Sequence, residues 1–272
     1  MLAAILLPFF EAPVDRTHNG NNINYRVEKY LCHITEKSGI RQIHSFPGNV
    51  RNFSEQHIFD LIGSFASQYE TDLILYGGQT ATERIYGYKR MRSITNDLDY
   101  VCTFKGVKRI IDNLQVLYHP EFDILLILIQ GIPVTFTYKH IHNWIIPEDF
   151  MQSVRPVRLN DYTVLCCAPE YSILLKFCRA FECIQQGRRI FGKDAIDIIN
   201  MLTAPYFNSS RSPVDVEKVG RLLKTHVTED CSTVIRIMEE ISCYENHLPV
   251  EDVPVFKKIY RSCCEEITGR KN

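Results

Sequence analysis

LILYGGQTATERIYGYKRMRSITNDLDYV, residues 73–101, is the stretch from which the fold of this chain is read. It opens on a short apolar run that stops at Gly77-Gly78. Thr80-Ala81-Thr82-Glu83-Arg84 then has the composition of a helix, and LDYVCTF, residues 98–104, is rich in β-formers. The local order is strand, diglycine turn, helix, strand. Asp97 and Asp99 flank Leu98, so on a strand both carboxylates point to one face, where they repel unless a divalent cation lies between them. A diglycine lets the backbone approach a phosphate closely, and the N-terminus of a following helix offers unpaired N–H groups. Together these features suit a nucleoside triphosphate with Mg²⁺ or Mn²⁺ held by Asp97 and Asp99. The plainer alternative is a helix-capping Asp97 and a solvated Asp99.

Outward from this stretch the periodicity continues. Upstream, Ile58, Phe59, Leu61, Ile62 and Phe65 recur at helical spacing behind Ser54, and a helix is expected near residues 27–37. Downstream, residues 107–117 are helical in spacing, and residues 122–129 and 133–138 read as strands joined at Gly131. After Pro147 helices are expected at residues 170–185, 193–202, 214–223 and 231–244. The expected organisation is an N-terminal extension packing on the core (1–50), an α/β domain (51–150) and a mostly helical C-terminal lobe (151–272), an α+β fold with a small mixed sheet.

The 272 residues suffice for one large domain or two compact ones. With 31 Lys and Arg against 32 Asp and Glu, a polyanion must be met by a local patch and not by a bulk field. The apolar start MLAAILLPFF lacks the basic region and cleavage site of a signal peptide. It is also too short for a bilayer, which needs roughly 20 residues. A cytoplasmic protein with no membrane partner is expected. The ten cysteines include no CxxC pair and are read as small buried residues of a reducing compartment. His140 and His142 form an HxH without a third ligand at a diagnostic spacing. No GxSxG, Walker A or GxGxxG element supports a hydrolase, P-loop or Rossmann reading.

Residues 73–101 resemble the signature of the DNA polymerase β-type nucleotidyltransferases, above all the AbiEii branch: a diglycine, a short helix, Arg, Thr or Ser, and a hydrophobic residue between two Asp. Arg92, Thr95, Asp97, Leu98 and Asp99 stand at those places, with Gly78 to Asp97 a few residues longer than is common, as if by an insertion around residues 86–90. A second segment, APEYSILLKFCRAFECIQQGRRIFGKDAIDIINML, is similar to the helical motif of the same branch through Lys176, Lys193, Asp194 and Asp197. The two resemblances together span residues 73–203, about half of the chain.

The resemblance implies a polymerase β-like nucleotidyltransferase domain in which Gly77, Gly78, Thr95 and Lys176 bind the nucleotide. Asp97, Asp99, Lys176 and Asp194 are then the catalytic set, with Lys176 on the triphosphate and Asp194 brought to the same cleft by the helical lobe. Arg92 and Asp197 are additional candidates. Independently of any family, a lysine in the apolar context LLKFC is costly unless it faces a cleft or a partner. Asp194 and Asp197 share a helix face, and an ion-pair network of Lys193, Asp194 and Asp197 with Arg188 or Arg189 is the alternative.

One departure concerns the third carboxylate usual on a later strand of this superfamily. GIPVTFTY offers Thr135 there, which leaves Asp123 or the helical Asp as substitutes. Tyr86, Tyr88, Lys89, Arg90 and Arg92 interleave rings and cations that suit an RNA acceptor, and Lys105, Lys108, Arg109, Arg188 and Arg189 are further basic positions. An exposed loop of ordinary charge is the other reading of that segment. The expected activity is transfer of a nucleoside monophosphate from an NTP to an acceptor hydroxyl. By the same resemblance the acceptor is an RNA such as tRNA, and the chain is the toxin of a toxin–antitoxin pair with a cognate antitoxin protein. The alternatives are a nucleotide- or RNA-binding module that has lost catalysis, and an aminoglycoside-type small-molecule transferase.

Overall fold

The computed structural model describes residues 29–46, 53–81, 97–141, 144–207, 214–244 and 253–269. MLAAILLPFF, the turn at residues 47–48 and the interleaved segment 86–92 lie outside these. The fold is α+β. Nine strands are described: β1 (Leu73–Tyr76), β2 (Leu98–Cys102), β3 (Leu117–His119), β4 (Ile124–Ile129), β5 (Ile132–Thr137), β6 (His140–Ile141), β7 (Trp144–Ile145), β8 (Arg155–Leu159) and β9 (Tyr162–Cys166). Seven of them form a mixed sheet in the order β3-β4-β5-β2-β1-β9-β8, and β6 pairs with β7.

The helices are α1 (Tyr30–Lys37), α2 (Glu55–Tyr69), α3 (Phe104–Asn113), α4 (Glu148–Gln152), α5 (Pro169–Gln185), α6 (Gly192–Phe207), α7 (Val216–His226), α8 (Cys231–Ser242) and α9 (Val253–Thr268). None of the described helices is long and apolar enough to cross a membrane.

The chain divides into two compact units: Met1–Leu75 with Asn96–Pro156 and Asn160–Leu165, and Tyr76–Thr95 with Val157–Leu159 and Cys166–Asn272. This differs from the expected division at residue 150 in two ways. The diglycine turn groups with the helical unit. Residues 155–166, expected in the helical lobe, form the β8–β9 hairpin that joins the sheet, with Asn160 at its turn in the left-handed region (φ 52°). The strand signal in RPVRLNDYTVLC is an Asn-Asp turn between two β-prone runs.

In the first unit β2 and β5 pair in parallel, Leu98 on Val134, Asp99 on Thr135 and Tyr100 on Phe136. β5 pairs antiparallel with β4 through a turn in which Gln130 and Gly131 both have positive φ (55° and 92°), the geometry that suits a two-residue hairpin to strand twist. Alternation sends Leu98, Tyr100, Val134 and Phe136 to one face, all buried. Phe65 of α2 completes that layer, at 5.6 Å from the Tyr100 ring and 5.9 Å from the Phe136 ring. α2 begins where expected because the Ser54 hydroxyl accepts from His57 N, and it buries Ile58, Phe59, Ile62, Phe65 and Tyr69 along one stripe.

Asp72, just before β1, docks α3. Its backbone carbonyl accepts from Thr103 N at 3.0 Å, and its carboxylate accepts from the Thr103 hydroxyl at 2.9 Å and from Arg109 at 2.7 Å. Thr103 in turn caps α3 by accepting from Gly106 N. The approach is close enough that a Cβ on Gly106 would stand 2.7 Å from the Asp72 carbonyl oxygen.

In the second unit α5 packs with α7, α7 with α9, and α6 with α8. Asp215 caps α7 and Asp230 caps α8 through their side chains. Glu170 accepts from Asp215 N at 3.0 Å and Glu240 from Ile190 N at 2.9 Å, so two carboxylates tie inter-helix backbone to the bundle. All ten cysteines are free, and six of them are buried. Burial pushes the thiols of Cys102, Cys166 and Cys178 up, and that of Cys167 up to about 12.

Two outcomes are expected. Gly106→Ala should destabilise the protein by about 1–3 kcal/mol in chemical denaturation, although alanine is the better helix former by about 1 kcal/mol. In a thiol titration of the native protein at pH 8, the exposed Cys243 should react first. Cys102, Cys166, Cys167 and Cys178 should react only on unfolding, because their thiolates are both disfavoured and inaccessible.

Candidate functional site

The two carboxylates of the DxD stretch lie at the start of β2. Asp97 immediately precedes the strand and Asp99 is its second residue; both are half-buried while Leu98 between them is fully buried on the opposite face. The face they share continues through Val101 on β2, and through Pro133, Thr135 and Thr137 on β5. Antiparallel pairing extends it to Ile124, Leu126 and Leu128 on β4. Burial falls along it in step: Val101, Thr137 and Leu126 are buried, whereas Leu128, paired with Pro133 at the level of Asp97, is 46% exposed. The carboxylates therefore stand where an apolar layer opens to solvent. Thr135 is directly opposite Asp99, and its hydroxyl donates to Asp99 Oδ1 at 2.7 Å.

Asp123 is elsewhere. It precedes β4, three positions from the Leu126 that faces Thr135, which separates it from Asp99 along the sheet by about 10 Å at the usual strand rise. Its buried carboxylate accepts from Leu31 N and Cys32 N, both at 3.2 Å, and from the Tyr118 hydroxyl at 2.7 Å; His140 Nε2 lies 3.5 Å away. It thereby serves as the N-terminal anion of α1. Burial keeps the His140 imidazole below its ordinary pKa, an effect that Asp123 opposes. The expected substitution of Asp123 for a third carboxylate beside Asp99 has no support in this geometry, because its oxygens are directed to α1. His142 lies outside the described residues, and no group of three His, Cys, Asp or Glu able to hold a metal occurs among the described residues.

In the second unit the diglycine begins a 3-10 turn, Gly77–Ala81, with Gly77 at φ 78°. That conformation is open to glycine and strained for other residues. The expected α-helix start at this point is a 3-10 turn instead, and the remainder of that helix lies outside the described residues, as do Arg92 and Thr95 and the RNA-contact candidates Tyr88, Lys89 and Arg90. The turn packs on α5 and α6. Thr80 Oγ1 donates to Gly77 O at 2.8 Å and lies 3.0 Å from Ser172 Oγ on α5.

One turn along α5 from Ser172 is Lys176, buried with only 7% exposure. Its ammonium donates to Asp197 at 2.7 Å and to Asp194 at 3.4 Å, both on α6 and both buried. Arg179, one turn further, places Nε 3.5 Å from Asp194 Oδ2, and its guanidinium lies over the Phe191 ring at 4.4 Å. Asp194 Oδ2 accepts no hydrogen bond among the described residues. The structure thus places Lys176, Asp194 and Asp197 in one buried cluster, while Lys193 of the same motif is exposed.

The ion-pair alternative gains from the same geometry, with different members. The cations are Lys176 and Arg179, whereas Lys193, Arg188 and Arg189 are exposed. Among the described residues two cations face two carboxylates, and such pairing is how charges become tolerable in an interior. Arg179, Thr80 and Ser172 were not singled out from the sequence. Arg179 lies at i+3 from Lys176 and so shares its helix face, a signal that was present; the Thr80–Ser172 contact joins residues 92 apart and had none.

Removing Lys176 takes from Asp197 the ammonium 2.7 Å away and leaves Arg179 beside two buried carboxylates. Lys176→Met should destabilise the protein by about 3–5 kcal/mol. A double-mutant cycle with Asp197→Asn should return a coupling of about 1–3 kcal/mol in urea unfolding. No family model matches the chain, and no curated protein matches it in sequence.

Proposed function

We propose that this chain is a divalent-metal-dependent nucleotidyltransferase, in which an acceptor hydroxyl attacks the α-phosphorus of a nucleoside triphosphate and pyrophosphate leaves. The observation that carries this reading is the placement of Asp97 and Asp99 on one face, at the solvent end of a buried layer, beside the Thr135 hydroxyl. Two carboxylates fit Mg²⁺, which commonly takes one or two protein carboxylates and completes its octahedron with water and substrate phosphate oxygens. When bound, such an ion supplies charge stabilisation to the α-phosphate and the leaving pyrophosphate. In the second unit, the Gly77–Ala81 turn seated on the helices that carry Lys176 and Asp194 is compatible with the order of the two motifs. The Lys176 ion-pair set supports a role in holding the helices, and the role of Lys176 toward phosphate rests on the resemblance.

The finer reading is transfer to RNA, in the manner of an AbiEii-type toxin partnered by an antitoxin protein. It rests on the resemblance of residues 73–101 and 168–203. A second reading, a nucleotide- or RNA-binding module without transfer, is favoured by one observation: the position level with Asp99 on β5 is a threonine and not an acid. Incubation of the protein with α-³²P-labelled NTPs, Mg²⁺ and total RNA or aminoglycosides separates these readings. Labelled RNA is expected. Asp99→Ala should lower labelling by at least about 100-fold with an unchanged far-UV spectrum and melting temperature. Retained labelling in that variant removes the metal assignment, and nucleotide binding without transfer to any acceptor establishes the second reading.

A further inference from the structure

Three aromatic rings from separate elements meet at the carboxyl ends of the parallel strands β2 and β5, within the first unit. Phe104 opens α3 just past β2, Tyr138 follows β5, and Tyr30 opens α1. The Tyr138 ring links the other two, with centroids 6.1 Å from Tyr30 and 6.0 Å from Phe104. Tyr138 is buried, whereas Tyr30 is half-buried and Phe104 is 39% exposed. The two outer rings are thus presented to solvent on a buried aromatic base.

Cations stand on the same rings. Lys108, one helical turn beyond Phe104, places Nζ 4.7 Å from that ring's centroid, and Lys139 places Nζ 4.6 Å from Tyr30 and 5.7 Å from Tyr138. The other basic residues of α3 are used differently: Lys105 and Arg109 both turn to the Asp72 carboxylate, at 3.7 and 2.7 Å. Lys108 and Lys139 have no carboxylate within ion-pair distance among the described residues. Asp123, the buried carboxylate at the start of α1, is taken up by the α1 amides and the Tyr118 hydroxyl. A ring attracts an ammonium without neutralising it, so both positive charges and their N–H donors stay available to an anion.

Exposed rings and uncompensated ammoniums in one patch match a ligand that carries flat π faces and negative charge along the same chain. A single-stranded polynucleotide has both. Its bases stack on aromatic side chains whatever their identity, and its phosphates take the cations. A duplex hides its base faces within its own stack, and an acidic peptide would use the charges and leave the rings without a role.

We propose that Tyr30, Phe104 and Tyr138, with Lys108 and Lys139, form a contact surface for single-stranded nucleic acid. Asp97 and Asp99 lie at the opposite, amino end of β2, so this surface is distinct from the proposed metal site and stands without the nucleotidyltransferase reading. The groups that RNA and DNA share, base faces and phosphates, are the ones it recognises.

The test uses the full chain without NTP or divalent metal. It reads the fluorescence anisotropy of labelled oligo(U) and oligo(dT) of about 12 nucleotides, a duplex of equal length and an oligoglutamate. The single strands should bind at least about tenfold more tightly than the duplex or the peptide. Phe104→Ala and Tyr30→Ala should each weaken single-strand binding by about tenfold. Phe104→Leu, which keeps apolar bulk for folding and lacks the ring, should weaken it alike. Lys108→Gln and Lys139→Gln should each lower the slope of log affinity against log salt by about 0.7, and Lys224→Gln, at an exposed position on α7, should leave it unchanged. A preference for one of the two single strands supports the surface and assigns its sugar. Absence of single-strand binding, unaltered binding in ring variants of native melting temperature, equal binding of the duplex, or tighter binding of the oligoglutamate overturns the proposal. So does a slope change in Lys224→Gln equal to that in Lys108→Gln, which marks binding by overall charge. None of these outcomes bears on the transfer assay, in which metal and nucleotide are present and Asp99 is varied.

Discussion

The parallel pairing of β2 with β5 is the constraint on which the first unit depends. These strands are not consecutive. α3, β3 and β4 intervene, and the chain must return through a full crossover before Asp99 can face Thr135. What holds the register is the face opposite the carboxylates, where Tyr100 stacks on Phe136 with centroids 5.9 Å apart and Phe65 closes the layer from α2. A one-residue slip of β2 would carry Tyr100 to the carboxylate face and bury Asp99 beside Phe136. Aromatic packing on one side of the sheet thereby sets polar geometry on the other.

The second unit solves a different problem, the presence of four ionised side chains within a helical bundle. Lys176 and Arg179 lie on successive turns of α5, Asp194 and Asp197 on successive turns of α6, and the two helices meet along that seam. Among the described residues the set has two cations and two carboxylates, and its shortest contact, Lys176 to Asp197 at 2.7 Å, is the most buried. Such an arrangement favours one helix register over its neighbours, because a shift of one turn would strand a charge. The Gly77–Ala81 turn rests on the same two helices, so the diglycine belongs structurally to the bundle although it follows β1 directly in sequence.

Much of the secondary structure was legible because its signals are local. α2 follows from an N-capping serine and a 3.6-residue apolar stripe, the β4–β5 hairpin from alternating apolar runs around Gly131, and α5 from Ala168-Pro169-Glu170 ahead of a long periodic segment. The β8–β9 hairpin is faint in the sequence because Arg155, Arg158 and exposed polar residues dilute its alternation, as is usual where strands lie toward a sheet edge. The setting of Asp123 is hidden from the sequence for another reason. Nothing near it in sequence shows that its partners are the amides of Leu31 and Cys32, 92 and 91 residues away.

The sequence by itself determined which groups carry charge and which faces they share. Asp97 and Asp99 must lie on one side of a strand, and Lys176 with Arg179, like Asp194 with Asp197, on one side of a helix, because backbone geometry alone imposes those periodicities. Only the tertiary structure decided what each face meets: Thr135 opposite Asp99, Asp197 against Lys176, and the α1 amides around Asp123. Those pairings join positions from 21 to 92 residues apart. They are fixed by how buried apolar layers fit together, a long-range property that local sequence patterns do not encode.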